Sequence, residues 1–370
     1  MRCYMKVLKV VLTGGPCGGK TTSISAIEEN FQEKGYHVII VPEAATILIN
    51  SGLRPFGTNS LSMYEFQKYV MKLQLELEDM ATKAAAAIDA KTIIVCDRGL
   101  LDDKAYVSEE EYQQLIKDFG TTQFDLLNRY DLVLHLKTAA DGKAEFYTTS
   151  NNGARTETLA EAKEKDQRTL NSWLGHDNLK IIGNDVDFQT KIANVNKAIH
   201  EYLKTPYPLQ QQEKYLVDYV DMKKLLGMKP VKIDIVQYIR PTEYGEVLYR
   251  KSTKEGETKY TKITKIDIPN SADRIVKRKN ITENEFFDSI PQCEQPLLKT
   301  RYCFSYKNQY FRLDCFDDGL KLLEIEDTNK TQKRCLPNYL EVTEDVSHLR
   351  EYRNSELYSQ KNHKAKTKVK

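Results

Sequence analysis

Two rhythms of apolar and polar positions run along this chain, and one gives way to the other near residue 205. Up to about residue 204, continuous apolar runs alternate with stretches of helical period. The runs at 6–13, 37–43, 92–97, 131–136 and 178–184 predict strands, and their lack of polar alternation predicts burial on both faces. Helices are predicted from Lys20 to about Lys34 with Gly35 at the C-cap, over 108–119, and over about 159–173. Ser62 and Glu65 form a capping-box signature that opens a longer helix, as Ser108 and Glu111 do for a later one. In the long helix Phe66, Val70, Leu73, Leu77, Met80, Ala84 and Ala87 recur at spacings of four and three, a stripe suited to packing on a sheet. Strands and helices in this order predict a parallel, doubly wound α/β sheet.

Beyond Thr205-Pro206-Tyr207-Pro208, one amphipathic helix is predicted at about 212–226. The pattern then turns to period two, with strands at 232–240, 246–253, 259–267, 301–316 and 320–327. Hairpin turns are predicted at Tyr306-Lys307-Asn308-Gln309 and Asp317-Asp318-Gly319. The expected organisation is an α/β domain over 1–204, a linker and helix over 205–228, an antiparallel, barrel-like α+β domain over 229–358 and a disordered Lys-rich tail over 359–370.

Charge sharpens this division. The net charge of the whole chain is +2, but residues 1–204 hold 24 Lys/Arg against 28 Asp/Glu, and the rest hold 31 against 25. The second half therefore points to an anionic ligand. Seven cysteines without a CxxC pair fit reduced thiols in the cytoplasm rather than disulfides or zinc. The first residues are too short and mixed for a signal peptide. No apolar run nears the roughly 20 residues of a membrane span, so membrane contact is expected to be peripheral. No nucleic-acid partner is expected, because neither an aromatic-interleaved RNA motif nor a helix-turn-helix signature is present.

The strongest chemistry lies in VVLTGGPCGGKTTS (10–23). Gly14-x-x-x-x-Gly19-Lys20-Thr21 matches the P-loop template between a predicted strand and a predicted helix. Backbone N–H groups across Gly14, Gly15, Pro16, Cys17, Gly18, Gly19, Lys20, Thr21 and Thr22 are expected to cradle phosphates, although Pro16 itself has no N–H to give. Lys20 is expected to reach the β/γ-phosphates and Thr21 to ligate Mg²⁺. Asp97 ends a strand where a second Mg²⁺ ligand is expected, followed at once by Arg98. Glu43 ends another strand at the same sheet edge, where a carboxylate could accept a proton from a hydroxyl or from water. The ligand is therefore a nucleoside triphosphate with Mg²⁺, GTP or ATP, since no guanine-reading NKxD element occurs.

In the second half, alternation places Lys299 with Arg301 on one strand face, Arg312 with Asp314 on the next and Glu324 with Glu326 on a third. Buried charges of this kind call for pairing or for a bound anion. Arg250 in LYRK, with Lys277 and Arg278 in IVKRK, adds basic positions.

These stretches carry resemblances. VPEAAT (41–46) and CDRG (96–99) resemble the nucleoside-kinase-like branch of P-loop proteins, which implies catalytic roles for Glu43, Asp97 and Arg98. It also implies a lid whose arginines clamp phosphates, here Arg155 and Arg168. KTRYCFSYKNQYFRLD and the closing E-x-E resemble the CYTH domain of the triphosphate-tunnel family. The family's first strand carries E-x-E-x-K, whereas VKIDIVQYIR offers only Asp234. With LVLHLKTAADG, EFYTTSNNGART and PNYLEVTEDV, residues 6–355 resemble the family named for a defect in translocation of the TRPL channel. That resemblance implies GTP binding by the first domain, phosphatidic-acid binding by the second (its residues alone leave an anionic phospholipid or a polyphosphate) and a role in membrane-protein trafficking. A small-molecule kinase and a tunnel-type triphosphatase stand as the alternatives, so binding, slow hydrolysis and transfer all stay open.

Overall fold

The first apolar run forms β1 (Val7–Thr13), which is buried almost throughout because it lies mid-sheet between two parallel neighbours. In the computed structural model the described residues are 7–141, 158–203, 212–243, 245–267, 274–290, 294–326 and 334–368. The chain divides into two compact units between Glu201 and Tyr202.

The first unit continues through α1 (Lys20–Gln32), β2 (His37–Val41), α2 (Ala44–Asn50), α3 (Met63–Ala87) and β3 (Thr92–Asp97). It goes on with α4 (Glu109–Asp118), α5 (Gln123–Leu127), β4 (Leu132–Leu136), α6 (Leu159–Ser172), β5 (Leu179–Ile182) and α7 (Phe188–Leu203). A 3-10 turn over Asp102–Ala105 follows β3. The five strands form a parallel sheet in the order β2-β3-β1-β4-β5. Register aligns the carboxyl ends, with Leu12 beside Asp97 and Thr13 beside His135, so the chemistry gathers at one sheet edge.

Two features depart from the sequence reading here. Helix α2 was not foreseen, and Glu43 stands at its N-cap. The buried stripe of α3 keeps Phe66 and Val70 of the predicted one but beyond them runs one position off, through Gln67, Met71, Gln74, Glu78, Ala81 and Ala85, and Met80 is exposed. Polar side chains tolerate that burial because they are bonded. Glu78 accepts from the Tyr130 hydroxyl at 2.7 Å and from Gln74 at 3.0 Å, and pairs with Arg129 at 3.1 Å.

The second unit opens with a strand, not the predicted helix: β6 (Gln212–Val220) precedes the short α8 (Met222–Gly227). Residues 212–220 of the expected linker-and-helix segment 205–228 therefore belong to the sheet, and residues 205–211 lie outside the described residues. Strands β7 (Val231–Thr242), β8 (Gly245–Lys254), β9 (Glu257–Asp267) and β10 (Arg274–Asn280) lead to α9 (Glu283–Ser289). Then come β11 (Leu297–Tyr306), β12 (Gln309–Phe316), β13 (Lys321–Glu326), β14 (Leu340–Asp345) and α10 (Asn354–Lys368). All nine strands pair antiparallel, in the order β10-β9-β8-β7-β11-β12-β13-β6-β14. The β11–β12 hairpin turns through Lys307 and Asn308, both with positive φ, as a two-residue primed turn requires.

Two apolar clusters cover opposite faces of this sheet. Phe304, Phe311, Leu313, Leu323 and Val217 pack on one, and Ile239, Leu248, Leu297, Phe316 and Leu322 with Tyr358 of α10 on the other. The Lys-rich end is helical as far as Lys368 where disorder was expected. Among the described residues no helix is long and apolar enough to cross a membrane.

Candidate functional site

The P-loop takes its shape from three residues with positive φ. Gly14 (φ 131), Cys17 (φ 54) and Gly19 (φ 90) turn the chain from β1 into α1. A Cβ on Gly14 would lie 2.1 Å from the Leu136 carbonyl oxygen, so only glycine fits beside β4. Gly19 caps α1 without any side-chain cap, which leaves N–H groups of the first turn for an anion. The Lys20 ammonium donates to the Gly14 and Gly15 carbonyls, both at 3.0 Å, and arches over the loop. Burial and the nearby Arg98 lower its pKa to about 8, against Asp97, Glu43 and Asp102. Pro16 accepts from the Thr138 hydroxyl at 2.5 Å, and Gly18 packs against Leu136. Thr21 and Thr22 are exposed at the start of α1.

Four charged groups stand at the ends of β2 and β3. Arg98, itself at φ 70, donates through Nε to Glu43 at 2.5 Å and through Nη1 to Asp102 at 3.4 Å. Burial pushes the Glu43 carboxyl up, but Arg98, Thr46 and Lys20 outweigh it and lower the pKa to about 2. So held, Glu43 is a poor proton acceptor. Asp102 also accepts from the Thr13 hydroxyl and the Trp173 indole, each at 2.6 Å, tying β1 and α6 to the site. Asp97 differs: its buried Oδ1 has no hydrogen-bond partner among the described residues, and burial raises its pKa. An unpaired buried carboxylate oxygen near a P-loop fits a hard cation, and the Thr21 hydroxyl is the second oxygen the motif supplies. The residues present therefore fit Mg²⁺, which when bound would neutralise phosphate charge.

Sequence reasoning missed the carboxylate that braces the loop. Asp166 of α6, fully buried, accepts from the Gly15 N–H at 2.8 Å and the Thr138 N–H at 3.2 Å. It pairs with Lys137 at 2.8 Å and lies 3.3 Å from His135. Burial alone would raise its pKa, but His135 and Lys137 hold it well below the usual carboxylate range. The Gly15 N–H is thus committed to Asp166 rather than to a phosphate. Lys191 of α7 donates to the Lys137 carbonyl and to Asn184, both at 2.7 Å, behind the same edge. Of the two expected lid arginines, Arg168 donates to the Val107 carbonyl at 3.3 Å, and Arg155 lies outside the described residues.

In the second unit, register places Arg301 opposite Asp314 and Arg312 opposite Glu324, and Glu324 opposite Lys214. The structure brings them together as a buried cluster. Asp314 accepts from Arg301 Nε at 2.6 Å and Nη2 at 2.7 Å, and from Lys299 at 2.5 Å. Glu324 pairs with Arg301 at 3.1 Å, Lys214 at 3.5 Å and Arg312 at 3.7 Å. Arg250 donates to the Gln237 amide oxygen through Nε at 3.0 Å and Nη2 at 2.8 Å. Lys277 and Arg278 stand on β10 and Glu326 on β13, but their side chains lie outside the described residues. Asp234, the one acid found on 232–240, faces away and pairs with Lys232. The first described strand of the unit is β6. Lys214 of β6 is the residue that reaches the cluster.

Residues 9–191 match a family model described as an AAA domain, a span that lies within the first unit. This unit has a P-loop-like α/β fold, a parallel five-stranded sheet with helices. No curated protein matches the chain. Among solved structures the chain is similar to the inorganic triphosphatase NE1496, at 20% identity over 40% of this chain and 93% of that one, with a TM-score of 0.28. A score that low carries no argument about the second unit.

Proposed function

We propose that the first unit binds a nucleoside triphosphate, GTP or ATP, with Mg²⁺, and that the second unit binds a phosphate-bearing anion. The observation that carries the first half is the unpartnered buried Oδ1 of Asp97 at the same sheet edge as Lys20 and the open N-terminus of α1. Lys20 and the loop N–H groups hold the phosphates, and Asp97 and Thr21 serve the metal. Holding outranks transfer, because Glu43, the one candidate base, is tied to Arg98. The second half rests on buried or half-buried basic side chains, Lys214, Lys299 and Arg301, which meet at Asp314 and Glu324, with Arg250 and Arg312 beside them. Such a concentration of buried cations suits a bound anion. The finer reading, with phosphatidic acid as that anion and a part in membrane-protein trafficking, rests on the sequence resemblance alone.

The test is a thermal-shift titration of the wild type and Lys20→Ala with GTP, ATP and tripolyphosphate, each with and without Mg²⁺. The proposal expects Mg²⁺–nucleotide stabilisation that Lys20→Ala removes. A nucleotide shift that survives Lys20→Ala would place the ligand elsewhere and sink the reading.

A further inference from the structure

Among the described residues, the carboxylates of the second unit's buried charge cluster are all paired with cations. Both oxygens of Asp314 accept from Arg301, and Lys299 shares one of them. Glu324 is held between Arg301, Arg312 and Lys214, and Glu246 is paired with Lys265 at 3.2 Å. Among the described residues no group of three or more His, Cys, Asp or Glu is placed to hold a metal ion. What is left over is a donor. Gln237 is completely buried; its amide oxygen accepts from Arg250, and its Nε2 has no hydrogen-bond partner among the described residues. A buried amide N–H₂ without an acceptor carries a desolvation cost that an incoming oxygen ligand would remove. A metal-bridged phosphate needs spare carboxylate oxygens on the protein, whereas a bare phosphate needs spare donors. Among the described residues the cluster offers the second and not the first.

We infer that the second unit binds its phosphate ligand as a metal-free anion, held by Lys and Arg side chains and by the Gln237 amide. This rests on the reading of that unit as an anion site and adds how the anion is held. The ligand class is a multiply charged phosphate, either free polyphosphate or the phosphomonoester of a lipid headgroup.

The full chain carrying Lys20→Ala, which silences the P-loop, is titrated with tripolyphosphate by calorimetry in EDTA and in Mg²⁺. It is also floated with phosphatidylcholine vesicles with and without phosphatidic acid under both conditions. Binding in EDTA is expected to be as tight as in Mg²⁺, or tighter where the metal competes for tripolyphosphate. Gln237→Glu, which sets a carboxylate in place of the donor, is expected to weaken binding about tenfold or more. Gln237→Leu, of similar volume and uncharged, guards against misfolding and should weaken it less. Tripolyphosphate binding alone identifies a free phosphate, vesicle binding alone a lipid headgroup, and both together the shared chemistry; each supports the inference. Binding seen only with Mg²⁺ overturns it and leaves the anion-site reading standing. Binding to neither probe under either condition defeats the anion-site reading itself.

Discussion

At Gly14 two demands coincide: a backbone at φ 131, and a space bounded by the Leu136 carbonyl 2.1 Å from where a Cβ would sit. Gly35 has only the first, with φ 76 and nothing within 4 Å of a Cβ. Gly35→Ala should therefore cost about 1 kcal/mol of backbone strain and leave the nucleotide response intact. Gly14→Ala should cost about 3 kcal/mol or more, since β4 must also shift, and should abolish the response. Urea denaturation and nucleotide thermal shift measure both, and equal costs would contradict the packing argument. Lys299 makes the corresponding case in the second unit. Burial lowers its pKa to about 7, against Asp314 and Glu324 and with Arg301 and Arg250 on the same side as burial. Asn354 and the Phe316 ring complete its surroundings. Below pH 7 the ammonium is already charged when an anion arrives. Above it, binding must draw a proton in, so tripolyphosphate affinity should fall as pH rises, by up to about tenfold per unit. Calorimetry on both sides of pH 7 reads this, and Lys299→Met should bind more weakly with a flat profile.

What could be read in the sequence depended on how far the decisive contacts reach along the chain. The P-loop was legible because its glycines, lysine and threonine are neighbours in sequence and their spacing alone defines the turn. Asp166 was not, since it meets Gly15 across 151 positions and sits in a helix whose pattern looks ordinary. Strand β6 was misread because it is covered on both sides: Val217 faces one cluster and Leu216 the other, which erases period two and imitates a helix. The α3 stripe slipped by one position because Gln74 and Glu78 look like surface residues until Tyr130 and Arg129 are set against them. The Asp166 contact has its own consequence. Asp166→Ala strands two buried N–H groups and leaves Lys137 only its 3.5 Å pair with Asp141, so it should destabilise the chain by about 3–5 kcal/mol. Glu201→Ala, which breaks the pairs of an exposed carboxylate with Lys180 at 3.4 Å and Lys197 at 4.0 Å, should cost about 0–1 kcal/mol. Comparable losses in chemical denaturation would show that α6 does not brace the loop.

Over the whole molecule, each unit has its own hydrophobic core and its own phosphate chemistry. Trp173, Phe31 and Met71 are buried in the first, and Phe304, Phe311 and Tyr310 in the second. A ligand that binds only the folded form of its unit stabilises that unit, by about 2.7 kcal/mol at a hundredfold excess over Kd. For units of this size that corresponds to a rise of about 5–10 °C in melting temperature. Differential scanning calorimetry should therefore show Mg²⁺–nucleotide raising one transition, and tripolyphosphate in EDTA raising another. Lys20→Ala should erase the first shift and spare the second, and Gln237→Glu should do the reverse. The two variants separate the sites even where the transitions overlap, because each shift is assigned by the substitution that removes it. If Lys20→Ala erased both shifts, tripolyphosphate would be binding at the P-loop, and the buried cations around Asp314 would be a structural network rather than a site.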